Sequence, residues 1–422
     1  MIVLWLCNIM LPRIARETAM EALPGGGWLT GMSDALLQDA TIQLYVFFPH
    51  TSDMEGSKEN LHWCGFHGTG TVAFFDEKIN KIHPDIIHIH GTEFKHSLLM
   101  IRAAKKNNLL SCTAVGIQGL VSILGKYHYC LGVPHRVVLS WTFRDLLRWD
   151  NMYQERKKFI KRGVFEEEAL RITRNVIGRT EWDRACTKRL NPDVNYYFCN
   201  AMLRRTFYER RWAIDRCQRH SMFVSQSQSP IKGFHFVLLA LREIVKIYPD
   251  AVVYAIGKSA LDMPWYRVTS YQKYIMRLIK EFALEDHVVF LGTLDESEMC
   301  NRFLSSHVFV SASSIENESN SVGEAMLLGM PVVASYVGGV MDTMQDKEDG
   351  FLYQADAPYM LAYYVMRFFA DDALCVQMGN NARKHAKITF DRDRNSRRIK
   401  EIYQTILTGD MGTRITREEK DD

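Results

Sequence analysis

The chain has 422 residues, 47% of them hydrophobic and 24% charged, with a formal net charge of +3. That length exceeds one ordinary core and predicts two domains of about 200 residues each. The composition is that of a soluble globular protein, and no apolar run reaches the roughly 20 residues that span a bilayer.

In chain order, Met1–Leu11 looks at first like a targeting segment. It lacks a basic start and a small-residue cleavage site, and so predicts a buried first strand. Short β-rich apolar runs then alternate with longer helical patterns. Strands are expected at Ile2–Cys7, Ile42–Phe48, Ile86–Ile89, Cys112–Val115, Val176–Gly178 and Tyr196–Cys199. Helices are expected at Trp28–Gln38, Phe94–Lys106, Val137–Leu147 and Glu166–Arg174. After the polar, basic stretch Arg204–His220 the alternation restarts, with strands at Met222–Ser225, Val252–Ile256, Val288–Leu291, Val308–Val310 and Val332–Ala334. Helices there are expected near Phe234–Ile247 and Tyr271–Phe282, with a last one at Asp393–Leu407.

Such alternation predicts an α/β chain of two Rossmann-like domains with parallel sheets, facing a shared cleft. The expected boundaries are 1–213, 214–392, a closing helix at 393–410 and a disordered, charged tail at 411–422. Nine cysteines run from Cys7 to Cys375 with no C-x-x-C, which predicts free thiols in a reducing cytoplasm. Charge is uneven: residues 101–213 hold 22 Lys+Arg against 10 Asp+Glu. This excess reads either as attraction to an anionic membrane or a diphosphate-bearing lipid acceptor, or as solvated helical faces.

The most informative stretch is Ser311–Gly339. Glu316 lies on a loop, Glu324 follows after seven intervening residues at the start of a helix, and a buried strand and Gly338-Gly339 complete the run. A helix N-terminus has unpaired N–H groups and a positive dipole end, which suit a diphosphate. Carboxylates on either side of it can accept hydrogen bonds from sugar hydroxyls. That combination fits a nucleotide sugar.

Here the sequence resembles the retaining glycosyltransferases of the large family 4, also called glycosyl transferases group 1. The resemblance is carried by Glu316 and Glu324, Ala325-Met326, Gly329, Pro331-Val332-Val333-Ala334-Ser335 and Gly338-Gly339. It implies the GT-B fold, with the last helix crossing back to the first domain. It implies Glu316 and Lys232 as catalytic residues, Glu316 holding the donor sugar and Lys232, in its Lys-Gly pair, neutralising the diphosphate. Glu324 would hold the ribose, backbone groups of Asn320, Ser321 and Val322 the phosphates, and the loop at Thr293-Leu294 the base. Gly26 and Gly27, in the run Pro24–Trp28, resemble a first-domain glycine-rich loop, or simply form a turn. Pro84–Gly91 looks like the family's P-D-x-x-H-x-H strand, with His88 and His90 as modest functional candidates or packed structural histidines.

Two departures stand out. Ser227 occupies a position where many members carry Arg, and Gln118 is the nearest acceptor-side candidate where many place His. Gln can hydrogen-bond a hydroxyl but cannot act as a base. The resulting expectation is a hexosyltransferase taking a nucleoside-diphosphate sugar to a glycan acceptor, expected to be lipid-linked, in bacterial surface-polysaccharide biosynthesis. No cofactor, metal or nucleic acid is expected, and the location is cytoplasmic with possible peripheral contact to the inner face of an anionic membrane. The alternatives are an inactive glycan-binding or scaffolding subunit, and a nucleotide-sugar epimerase of the same fold.

Overall fold

In the computed structural model, residues 1–20, 27–259 and 263–409 are described. Their contacts divide the chain into two units. The first comprises Met1–Ser122, Lys161–Leu203 and Phe390–Asp422, and the second Ile123–Ile160 and Arg204–Thr389. This differs from the expected division at 213/214. The change of unit comes at Leu203/Arg204, and the segment Ile123–Ile160 counts with the second unit.

Among the described residues the first unit holds eight strands: β1 (Ile2–Leu6), β2 (Gln43–His50), β3 (Met54–Lys58), β4 (Leu61–His67), β5 (Ile86–His90), β6 (Thr113–Gly116), β7 (Asn175–Gly178) and β8 (Asn195–Phe198). Their order is β3-β4-β2-β1-β5-β6-β7-β8. All neighbours are parallel except the β3–β4 pair. β1 is central and its Val3–Leu6 are buried, as a strand covered on both faces requires. The hairpin β3–β4 has no counterpart among the expected elements. Its turn is Glu59-Asn60, with Glu59 in the left-handed region at φ 56°, and carries none of the Asn-Gly or Asp-Gly signal that marks such turns. β3 itself, Met-Glu-Gly-Ser-Lys, is a polar edge strand.

The helix Arg392–Thr408 belongs to this first unit, as expected of the closing helix. Asp391 caps it by accepting from the Arg394 amide at 2.7 Å. Ile399, Ile402, Tyr403 and Ile406 enter the core beside Val3 and Trp5. The Tyr403 hydroxyl accepts from Trp5 Nε1 at 3.0 Å and meets His88 Nδ1 at 2.8 Å.

The second unit holds β9 (Gln218–Val224), β10 (Val252–Ala255), β11 (Val288–Phe290), β12 (Ser306–Ser311), β13 (Val332–Ser335) and β14 (Phe351–Tyr353). These form an all-parallel sheet in the order β11-β10-β9-β12-β13-β14. The chain winds outward from β9 to β11, then returns to lay β12 on the other side of β9. The strand order therefore reverses between β9 and β12, and ligands of open α/β sheets bind at the carboxyl ends of such a pair.

Two helical expectations are corrected. The helix expected over Val137–Leu147 is two, His135–Val138 and Phe143–Arg148. Thr142 accepts from the Asp145 amide at 3.2 Å while Asp145 accepts from the Thr142 amide, a capping box that restarts the helix. The helix expected at Glu166–Arg174 is the end of a longer one, Met152–Ile172, opened by Asn151 accepting from the Gln154 amide at 3.0 Å. The helices Pro358–Ala370 and Asp372–Thr389 were not anticipated. The expected tail at 411–422 lies outside the described residues.

Candidate functional site

At the reversal point, the loop leaving β9 turns through Pro230–Lys232, and the loop leaving β12 carries Ser313 to Glu316. Lys232 Nζ reaches Glu316 Oε1 at 2.5 Å, and Ser313 Oγ donates to the same oxygen at 2.7 Å. Two glycines set this spacing. Gly233 sits at φ 66°, with a site for Cβ that would run into the Ala312 carbonyl oxygen. Gly338, at φ 54°, packs in the same way on the carbonyl of Glu316, which also accepts from the Gly339 amide at 3.1 Å. The two loops are joined directly by Ser314 N–H to the Ile231 carbonyl at 2.7 Å, and Ser335 Oγ donates to the Ser313 carbonyl at 2.6 Å.

Beyond Glu316 the helix Asn320–Leu328 begins. Asn320, Ser321 and Val322 form its first turn, whose N–H groups have no acceptor inside the helix. Its N-cap, Ser319, makes no side-chain cap hydrogen bond, and Asn320 Oδ1 is buried without a partner. Glu324 lies one turn in and is 3% exposed. Burial raises its carboxyl above the usual range, and the hydrogen bonds and charge of Arg204 pull it back. The pair is a two-pronged fork, Arg204 Nε to Oε1 at 2.6 Å and Nη2 to Oε2 at 2.7 Å. A carboxylate offers about four lone-pair directions, so the fork leaves about two for a ligand's hydroxyls.

Arg204 was missed because it stands in a polar stretch that reads as a linker, and nothing in its spacing marks it. Ser313 and Ser335, inside the recognised run, are also new members of the site. Thr293 and Leu294 lie between β11 and the helix Glu296–Ser305, Thr293 exposed and Leu294 half-buried. Gly292, just before them, exchanges backbone hydrogen bonds with Gly257 at 2.9 and 3.0 Å. Ser227 is buried and bound through both its amide and its hydroxyl to the Ile256 carbonyl, at 3.0 and 2.8 Å. It therefore secures the β9 loop and supplies no cation.

The first unit holds the remaining candidates. Gln118 accepts from Arg179 at 3.2 Å. Gly26 lies outside the described residues, and Gly27 opens the helix Gly27–Leu37. His88 and His90 are buried in β5, where burial depresses both and holds His88 to about 3. At the reversal between β1 and β5 the structure adds a group that spacing did not mark. Glu93 accepts from Asn8 Nδ2 at 3.1 Å, and Asn8 Oδ1 meets His96 Nε2 at 2.7 Å. Burial, with the neighbouring Glu166, pushes Glu93 up to about 7. Among the described residues no three His, Cys, Asp or Glu side chains gather as a metal set, and none of the nine cysteines forms a disulfide.

The comparisons with known proteins fall on this framework. Residues 208–385 match the family model described as Glycosyl transferases group 1. YtcC of Bacillus subtilis (strain 168) is 27% identical over 257 residues, 60% of this chain and 59% of that protein. The matches to the curated relatives span between 28% and 59% of their lengths. Among solved structures, sucrose-phosphate synthase from Thermosynechococcus elongatus superposes with a TM-score of 0.71 at 17% identity, covering 97% of this chain and 100% of that one. Anabaena HepE, solved in complex with UDP-glucose, gives 0.68 at 16% identity over 96% of this chain and 100% of that one. The two Rossmann-like units are thus those of the GT-B fold, and the second carries the match to glycosyl transferases group 1.

Proposed function

We propose that the chain is a retaining glycosyltransferase of family 4. It would move a hexosyl unit from a nucleoside-diphosphate sugar to a lipid-linked glycan acceptor, in the assembly of a bacterial surface polysaccharide. The observation that carries this reading is the Lys232–Glu316 pair at the β9/β12 reversal, beside the first turn of Asn320–Leu328. A cation and a carboxylate in contact, a few residues ahead of a helix N-terminus, suit a diphosphate with a sugar attached. The group 1 match over residues 208–385, and the UDP-glucose bound by HepE, support a nucleotide sugar as donor.

In this reading Lys232 turns from Glu316 to the diphosphate when donor enters, and Glu316 is freed to accept from sugar hydroxyls. The bond from the anomeric carbon to the diphosphate oxygen breaks. The acceptor oxygen bonds to that carbon on the same face, and its proton passes to the departing phosphate. Lys232 and the helix N-terminus stabilise the charge that builds there, so no metal ion is needed. Glu324 holds the ribose with the lone pairs Arg204 leaves, and Thr293-Leu294 border the base. Gln118 is the acceptor-side candidate of the first unit.

The fork of Arg204 on both oxygens of Glu324 favours one second reading, a GT-B subunit that binds glycan without turnover. Incubation with UDP-, GDP- and ADP-sugars in excess EDTA separates the two. Transfer or slow donor hydrolysis is expected. Activity lost in EDTA and restored by Mg²⁺ or Mn²⁺ would overturn the metal-independent site, and the absence of nucleotide binding would favour the second reading.

A further inference from the structure

The helix Phe143–Arg148 is amphipathic with its acidic side inward. Asp145 is fully buried, accepting from the Ser270 amide at 2.9 Å and from Arg144 at 3.1 Å. Phe143, Leu146 and Leu147 stand three and four residues apart and share the opposite face, exposed to solvent. Leu147 is 72% exposed. Trp149, exposed at the helix's left-handed C-cap, sets its ring 4.9 Å from that of Trp141, and Trp265, also 72% exposed, sets its ring 5.3 Å from that of Phe143. Single exposed leucines are ordinary, but five large exposed apolar side chains gathered on one short helix, its C-cap and a ring packed against it mark an interaction surface.

Charge decides what that surface meets. The three carboxylates of residues 123–160 are all engaged, Asp145 and Asp150 by Arg144 and Glu155 by Lys158. Arg148, on the helix, and Arg267, in the turn Trp265–Arg267, are exposed and have no carboxylate partner among the described residues. The basic run Arg156–Arg162 is less available than its sequence implies. Arg156 donates to the carbonyls of Gly125 and Lys126, Lys158 pairs with Glu155, and Arg162 lies over the Phe94 ring.

An apolar face of leucine and tryptophan bordered by unpaired arginines has the chemistry of a lipid interface, where indole rings sit at headgroup level and cations meet phosphate. We propose that this face seats the chain on an anionic phospholipid surface, with Leu146, Leu147 and Trp149 entering the acyl boundary and Arg148 and Arg267 at the headgroups. The contact is interfacial, since no helix among the described residues is long and apolar enough to cross a membrane. It draws on nothing in the transfer reaction, so its failure would leave the proposed activity standing.

Co-sedimentation of the full chain with vesicles tests it, using equal parts phosphatidylcholine and phosphatidylglycerol against phosphatidylcholine alone. Binding to the anionic vesicles is expected, weakening as NaCl is raised. Leu147→Glu should lower the partition about tenfold or more, and Arg148→Gln and Arg267→Gln about fivefold each. Circular dichroism and nucleotide titration should find all three variants unchanged. Equal binding to both vesicles, binding to neither, or partition indifferent to Leu147→Glu would overturn the proposal. So would a dimer in vesicle-free buffer that Leu147→Glu dissolves, since the face would then be covered by a second copy.

Discussion

Glu324 is nearly inaccessible, and a carboxylate in that setting is tolerable only with a partner that satisfies both its oxygens. Arg204 is that partner, and its guanidinium also stacks 4.7 Å from the Phe207 ring. Arg204→Gln should therefore cost about 3–5 kcal/mol in urea unfolding, because it strands a buried charge. Arg204→Lys should recover only part of that, since an ammonium cannot make the fork. The double variant Arg204→Met/Glu324→Leu should be less destabilised than Arg204→Gln, because removing both charges removes the desolvation cost as well. A double variant as unstable as the sum of its parts would show that the two residues act independently.

The site is built by two loops leaving β9 and β12, and Gly233 fixes their closest approach. Gly233→Ala adds a Cβ against the Ala312 carbonyl and forces a left-handed alanine, costing at least about 1–2 kcal/mol. It should lower the melting temperature and weaken nucleotide binding together, because Lys232 moves relative to Glu316. Unaltered binding in a destabilised variant would separate the loop geometry from the site. The β12 loop was legible because its glutamates and glycines occur at fixed offsets within Ser311–Gly339, and the β9 loop because a Lys-Gly pair, Lys232-Gly233, follows a strand and opens a helix. The strands were legible because parallel strands covered on both faces are apolar almost throughout, as in β1. The hairpin β3–β4 was not, since an edge strand with a Glu-Asn turn looks like a polar loop. Nor was the break at Thr142, where a reciprocal cap outweighs an otherwise continuous apolar pattern. Arg204 was invisible for a different reason: its function depends on a partner 120 residues away.

At the scale of the whole molecule, acid stability follows from histidines held neutral by burial. His88 is held to about 3, and His96 and His235 to about 4, against an ordinary value of 6.5. The unfolded chain binds their protons first as pH falls, so the stabilisation they confer is complete above about 6.5 and is lost progressively between there and about 4, or about 3 for His88. Each contributes on the order of a few kcal/mol across that window. Glu93, pushed up to about 7, takes up its proton in the folded chain first and offsets part of this loss, so melting temperature should fall as pH goes from about 6.5 to about 4, less steeply than the histidines alone would give. A profile flat down to about 4 would mean that these rings titrate normally in the folded chain.

The central claim, that Lys232 and Glu316 form a donor site, is tested most directly by pairing donor turnover with calorimetric binding of free nucleoside diphosphate in two variants. Glu316→Gln should depress turnover of the productive nucleotide sugar about ten- to a hundredfold while leaving diphosphate binding nearly unchanged. Lys232→Ala should lower both, since the diphosphate is bound in the ground state and gains charge as it leaves. Full turnover and full binding in both variants, with folding intact, would contradict the account.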